Sequence, residues 1–377
     1  MLNVQEYLRT PGNTLETLHN ELGIEIAEHP IDPLVILNYS QIDSPKTNPI
    51  VMECRALVLE KDTWNIVAKA FNRFFNWGEV TELMDEFDWN GFVATVKEDG
   101  SLILVYNYGG KWRINTRGSF AQSLMNDTDI TWEQHVKNVW DKQNIGWMVD
   151  LPTDLTFVFE LCTQENKVVR FYKEPKLALL SIFAVSPDDA FELSNGAMMD
   201  ISDTHRMKRT EQLNFTAMYQ IEDYLKYLED NDPTNEGVVI RDQYNHRWKL
   251  KNKKYLTLHK MWTNGNITPK TLMPWVLSGD ADELLTYFPE VKSLYNEVQY
   301  KVWDAFAELT KLWLETYEIP VQKDFALAII KRTRFTSLLF TVRKEAEREQ
   351  RRQTLQDLEK LWRDSGDMIL KILFDIG

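Results

Sequence analysis

The chain has 377 residues, 44% of them hydrophobic and 12% aromatic, enough to give each of two domains a core of its own. A formal net charge of −14 argues against a protein that coats nucleic acid through bulk positive charge, while leaving room for a local basic groove. The start, Met1-Leu2-Asn3-Val4-Gln5-Glu6, has neither a basic segment nor an apolar run, and no later stretch reaches the roughly 18 apolar residues of a membrane span, so a cytoplasmic protein is expected. Cys54 and Cys162 stand in apolar, strand-like contexts without CxxC or Cys/His spacing, which argues against zinc and against a disulfide framework.

Residues 1–30 read as helix-rich, with one helix over 4–8 and another over 15–22 that Gly23 closes or that runs no further than Pro30. A strand over 35–39 and a polar loop follow. The β-pattern of 53–60 then carries Arg55 into a strand, where a guanidinium needs an anion in a pocket or an acid at a sheet edge. Another strand spans 66–70. After it, Phe71, Phe74, Phe75 and Trp77 surround Arg73, as core or as a ligand cage.

Apolar β-runs at 92–96 and 102–106 flank Lys97-Glu98-Asp99-Gly100-Ser101. An Asp-Gly pair between β-formers signals a hairpin, which places Lys97 beside a tight turn. A strand over 111–116 leads through Arg117-Gly118-Ser119 into a helical stretch at 120–125, a geometry in which backbone and arginine can both approach a phosphate. The apolar run 155–161 contains one carboxylate, Glu160, which is costly to bury unless it faces a polar pocket or sits at an exposed strand end. After a strand over 176–185, residues 235–241 and 246–251 read as a hairpin turning at 242–245. Period-two alternation puts Trp248 and Leu250 on one face and Arg247, Lys249 and Lys251 on the other, with Glu236-Gly237 opening the preceding strand.

From about residue 261 the β-runs stop, and helical periodicity takes over, punctuated by Pro269, Pro274, Gly279, Pro289, Pro320 and Gly366 into five or six helices. Residues 246–260 are basic. The region 331–352 is denser, with eight Lys/Arg against three Glu. If it is helical, Lys344, Arg348, Arg351 and Arg352 share a face suited to RNA; a solvated helix laced with Glu345, Glu347 and Glu349 fits equally.

In order, Arg55, Arg73, Lys97, Arg117, Glu160, Glu236, Lys249 and Lys251 make a site for a polyphosphate. The arrangement resembles the covalent nucleotidyltransferase superfamily of ATP-dependent ligases and capping enzymes: Lys97-Glu98-Asp99-Gly100-Ser101 looks like motif I, residues 157–160 like motif III, 236–240 like motif IV and 249–251 like motif V. Within it, the chain is most similar to the bacteriophage RNA ligase 1 family of tRNA-repair type, through Glu53-Cys54-Arg55, the Lys-Glu-Asp-Gly-Ser string and Arg73-Phe74-Phe75-Asn76. It departs from the family prototype in carrying arginine for lysine at Arg73 and Arg117, which keeps the charge and changes its geometry.

The resemblance implies an α+β protein, with an adenylyltransferase domain of antiparallel sheets and flanking helices over 1–260 and an all-helical RNA-binding domain over 261–377. It implies an ATP-dependent RNA ligase joining 5′-phosphate and 3′-hydroxyl ends, such as those of cleaved tRNA, through a lysyl-AMP and an RNA-adenylate. Lys97 would be the nucleophile, and Lys249 and Lys251 would hold the α-phosphate. Glu160 falls to the ribose hydroxyls and, with Glu236, to magnesium or manganese. Arg55, Arg73 and Arg117 are left for ATP or RNA. A monomer in the host cytoplasm is expected. Lysine attacks only when neutral, so the pKa of Lys97 must fall from about 10.4, pushed by Lys249, Lys251 and the metal. A DNA ligase or capping enzyme would use the same lysine but append a small β-barrel, and a binding module without catalysis would leave Lys97 a turn residue.

Overall fold

The β-runs form in chain order β1 (Ile24–Glu28), β2 (Leu34–Tyr39), β3 (Leu57–Glu60) and β4 (Ile66–Ala68), then β5 (Phe75–Asn76), β6 (Val93–Val96), β7 (Ser101–Tyr108) and β8 (Lys111–Thr116). They continue with β9 (Leu155–Cys162), β10 (Lys176–Ser186), β11 (Asp189–Glu192), β12 (Gln212–Leu213), β13 (Gly237–Arg241) and β14 (Arg247–Lys251). This is a computed structural model, and it describes residues 1–125, 129–146, 148–263, 267–278, 281, 285 and 291–376. Among them the chain divides into two compact units, Met1–His259 and Lys260–Gly377. No helix of the described residues is long and apolar enough to cross a membrane.

The first unit is α+β and holds three sheets, ordered β1-β2-β3-β4, β11-β10-β9-β7-β8 and β12-β6-β13-β14-β5. The strand pairs are antiparallel, as expected, except β14 with β5, which is parallel. The middle sheet is apolar on both faces, and alternation sorts its residues. Ile103, Val105, Phe157 and Phe159 pack under the helix Trp132–Lys142, whereas Leu102, Leu104 and Val158 meet Ile36, Val58 and Ala68 of the first sheet. Each fully buried aromatic in these layers contributes roughly 1.5–3 kcal/mol of apolar burial. The third sheet buries Ala94, Val238, Ile240, Trp248 and Leu250 with Ile221 of the helix Met218–Asn231, which leaves its Lys249 face for a cleft.

Four expectations need correction. Ile24 and Ile26 continue past the left-handed cap at Gly23 as a strand, paired with β2, where no strand was expected. Arg55 lies outside the strand proper, because the helix Pro49–Glu53 ends just before it and Ala56, at φ 54°, bends the chain into β3. Residues 120–125 form bridges and turns in place of a helix, with Asn115 bridging Phe120 and Leu124 bridging Thr131. Most consequentially, the segments around Lys97 are not a hairpin: β6 pairs with β13 and β12, and β7 pairs with β8 and β9. The Lys97–Gly100 segment is a crossing between two sheets, and Glu98 and Asp99 in it are buried.

In the second unit the described residues form the helices Pro269–Ser278, Lys292–Thr316, Gln322–Ile329, Thr336–Arg348, Leu355–Arg363 and Gly366–Phe374. The basic run does not share one helical face. Its helix ends at Arg348, Gln350 turns left-handed at φ 52°, and Arg351 folds back onto both oxygens of Asp357 at 2.7 and 2.8 Å. Lys344, Arg348 and Arg352 remain exposed, while Arg343 is buried against the carbonyls of Ile319 and Pro320.

The crossing requires a glycine. A Cβ on Gly100 would lie 2.1 Å from the Leu161 carbonyl oxygen on β9. Gly100→Ala is therefore expected to cost at least roughly 1–3 kcal/mol in urea denaturation, because a backbone atom cannot yield as a side chain does. Gly196→Ala, whose Cβ meets nothing within 4 Å in the helix Asn195–Thr204, is the control and should be neutral or stabilising. Equal midpoints for Gly100→Ala and the parent would contradict this packing.

Candidate active site

Lys97 is held from both ends. Its backbone N–H donates to the Gly237 carbonyl at 2.8 Å, extending the β6–β13 ladder by one bond. Its ammonium donates to Glu236 Oε2 at 2.5 Å, and Lys251 donates to the other oxygen, Oε1, at 2.7 Å. Gly237 makes this close approach possible. At φ 128° its absent Cβ would fall 2.1 Å from the Leu250 carbonyl oxygen, so the Glu236 end of β13 can lie flush against β14.

The crossing itself is fastened by its acids. Asp99 accepts from the backbone N–H groups of Val169 and Arg170 at 2.8 and 2.6 Å and from the Tyr255 hydroxyl at 2.8 Å. Glu98 accepts from Lys176 at 2.5 Å and from Thr210 at 3.1 Å. Each carboxylate thus fixes Lys97 to a different element, which limits where its amine can point.

Protonation follows from these partners. Burial pushes the Lys97 amine down, but the Glu236 and Glu160 carboxylates outweigh it and hold the pKa above the ordinary lysine value. Lys249 and Lys251 by themselves therefore do not depress it as expected, because a carboxylate 2.5 Å away dominates. Glu236 is pushed up by burial and brought below its usual range by Lys97 and Lys251. Of the lysines singled out from sequence, Lys249 is the depressed one. Burial, Arg55, Lys97 and Lys251 push it to about 6, and its ammonium rests 4.4 Å from the centre of the Phe74 ring.

Glu160 leaves β9 on the face toward the first sheet, between Leu102 and Ala178 in register, and lines a cleft of about 650 Å³ together with Arg55 and Lys97. Burial pushes its carboxyl up to about 7 despite Lys97, and among the described residues no donor bonds to its oxygens. Arg55 lies 4.9 and 5.2 Å from the rings of Phe71 and Phe74, its Nη1 donates to the Tyr39 hydroxyl at 3.4 Å, and its buried Nε has no acceptor. The aromatic stretch around Arg73 therefore serves as both core and cage: Phe75 and Trp77 pack in the third-sheet core, while Phe71 and Phe74 line the cleft.

Arg73 and Arg117 stand 4.3 and 5.5 Å from the Tyr39 ring centre, so three guanidinium groups converge on one tyrosine. Tyr39 thus gathers Arg55, Arg73 and Arg117, Phe74 gathers Arg55 and Lys249, and Glu236 gathers Lys97 and Lys251, while Glu160 bonds to none of these and shares only the lining of the cleft with Arg55 and Lys97. Tyr39 itself was missed. Its only sequence signal is an aromatic at the end of an apolar strand, a pattern too common to single out.

Chemically, the set is a buried carboxylate beside Lys97 and Arg55, a carboxylate shared by two ammoniums, and a cluster of cations, of which Arg55 has one buried donor without an acceptor among the described residues. Glu160 and Glu236 carry the hard oxygens that a divalent cation such as magnesium takes, but both Glu236 oxygens accept from ammoniums and no group of three or more His, Cys, Asp or Glu among the described residues is placed to hold a metal; the Arg55 guanidinium suits phosphate.

A family model described as RNA ligase, of T4 type 1, matches residues 53–256, more than half of the chain and all eight of these residues. A protein of Autographa californica nuclear polyhedrosis virus described as a bifunctional polynucleotide kinase/RNA ligase is 29% identical over 311 residues, 78% of this chain and 43% of that one. The chain thus spans less than half of that relative. An RNA ligase of Rhodothermus phage RM378 is 21% identical over 322 residues, 69% of this chain and 73% of the phage protein. Among solved structures, an archaeal ATP-dependent RNA ligase is 11% identical with a TM-score of 0.45, covering 86% of this chain and 76% of that one. By the family match over more than half its length, the chain belongs to the RNA ligase family.

Proposed function

We propose that this chain is an ATP-dependent RNA ligase of nucleotidyltransferase fold, with Lys97 its nucleophile, sealing 5′-phosphate to 3′-hydroxyl RNA ends. Cleaved tRNA is the substrate class that the resemblance suggests. One observation carries the reading: the Lys97 amine opens on a cleft that is also lined by Glu160, whose carboxyl burial pushes up, and by the Arg55 guanidinium.

The neutral Lys97 amine would attack the α-phosphorus of ATP, forming an N–P bond as the P–O bond to pyrophosphate breaks. The RNA 5′-phosphate oxygen then takes the adenylyl group from Lys97, and the 3′-hydroxyl attacks that 5′-phosphate, expelling AMP and closing the strand. Lys97 must first give up the proton it shares with Glu236 Oε2, to that carboxylate or to water. Glu160 would accept from the ribose hydroxyls, and Lys249 and Lys251 would neutralise the phosphate charge. Arg55, Arg73 and Arg117 would hold the remaining phosphates. A divalent cation, when bound at Glu236 and Glu160, supplies positive charge that offsets phosphate and weakens the carboxylate's hold on the ammonium. In the second unit Lys331, Arg334, Lys344, Arg348 and Arg352 are exposed cations of the basic run that would hold RNA.

Lys97→Ala and Lys97→Arg should each abolish transfer of labelled AMP from ATP to the protein, by at least about a thousandfold, and with it the sealing of 5′-phosphorylated RNA. RNA supplied already adenylylated should still be sealed by Lys97→Ala. A labelled adduct on either variant would move the nucleophile elsewhere.

Lys249 gives a test independent of activity. Its amine titrates near 6 in the folded chain and near 10.4 when unfolded, so between those values the unfolded state binds the extra proton and stability rises with pH. Lys249→Met removes that dependence. Its gain in denaturation free energy should be largest at pH 6 and shrink, by about 4 kcal/mol, toward pH 9.5. A constant difference would show that Lys249 titrates normally.

A further inference from the structure

A second cavity, of about 500 Å³, abuts the first across Phe71, Phe74 and Arg247, side chains that line both. Lys69 reaches it from a position only 4% exposed, and its ammonium donates to two neutral acceptors, the Ala70 carbonyl at 3.2 Å and Asn72 Oδ1 at 2.7 Å. An ammonium has three donors, so one remains for a ligand. Burial lowers its pKa to about 8, and the Glu53 charge opposes that only in part. Two of the three carboxylates on its lining are engaged, and the third, Glu86, is exposed. Glu53 caps the helix Asn3–Arg9 by accepting from the backbones of Asn3 and Val4, Glu192 accepts from Ser181, Arg241 and Arg247, and Glu86 lies 3.9 Å from His246.

The mouth is aromatic. Phe191 on β11 is 58% exposed, and Tyr244, in the turn between β13 and β14, is 65% exposed. Neither ring is needed by the core, yet both lie on the lining of one cavity above a buried cation. Rings with exposed faces take a base, and an under-compensated ammonium takes a phosphate.

We propose that this cavity binds a nucleotide of the single-stranded RNA substrate close to the join, its phosphate toward Lys69 and its base against Phe191 and Tyr244. The proposal rests on the ligase reading and adds to it a place for RNA in the first unit. The shared wall of Phe71, Phe74 and Arg247 sets the RNA nucleotide beside the cleft of the adenylylated lysine, as strand transfer requires.

The test uses the full chain with Lys69→Met and, separately, with Phe191→Ser combined with Tyr244→Ser, a change confined to exposed rings. Anisotropy of a fluorescent, 5′-phosphorylated single-stranded oligoribonucleotide reads binding, and labelled ATP reads adduct formation. The ring variant should weaken RNA binding about fivefold or more, and Lys69→Met should flatten the salt dependence by about 0.7 in log–log slope, both with adduct formation unchanged. Unchanged RNA affinity in the ring variant, whatever Lys69→Met does, would overturn the proposal. So would a raised ATP requirement for adduct formation in the ring variant, which would give the cavity to ATP. Failure of the parent protein to form any adduct would instead remove the ligase reading, and the anisotropy would still report on the cavity.

Discussion

The Glu236 carboxylate carries two ammonium groups, one from the crossing between sheets and one from the end of β14, and the geometry of the cleft depends on it. A buried ion pair of this kind contributes little net stability, because desolvation offsets attraction; losing one partner is what costs. With three members the arrangement has a built-in tolerance. Lys97 can surrender its proton or be covalently modified while Lys251 still compensates the carboxylate. The backbone enforces the triad through Gly100 and Gly237, each lying where a side chain would strike a carbonyl oxygen.

Around that triad the charges are incomplete in a way that a polyphosphate would complete. Lys249 is driven toward neutrality by burial and then by three cations, Glu160 toward protonation by burial, and Arg55 holds a buried donor with no acceptor among the described residues. Structural ion pairs are arranged to satisfy one another, as Arg241 and Arg247 do with Glu192 a short way along the same hairpin. The contrast between those two clusters, each with a cation from the β13–β14 hairpin, separates the part that holds the fold from the part that a ligand would complete.

How much of this was legible in the chain depended on the range of each signal. The hairpin of β13 and β14 was readable because its alternation is local: Trp248 and Leu250 face the core and Arg247, Lys249 and Lys251 the other side, as period two dictates. Asp99-Gly100 misled for the same reason, since a local turn signal cannot report that the strands on either side belong to different sheets. The supposed single basic face at 344–352 failed at Gln350, whose left-handed backbone is invisible in composition. Tyr39 and Lys69 were passed over although Lys69 breaks an apolar run just as Glu160 does. A lone cation in a short strand next to a loop has many innocuous readings, and only the cavity distinguishes this one.

Two lysines compete for the nucleophile's role in physical terms, since Lys97 has the better position and Lys249 the lower pKa. Position decides if ligand binding releases Lys97 from Glu236. Peptide mapping of the protein after brief incubation with ATP and magnesium separates them directly: the adenylyl group is predicted on the peptide containing Lys97, and adenylylation of Lys249 with Lys97 unmodified would contradict the assignment.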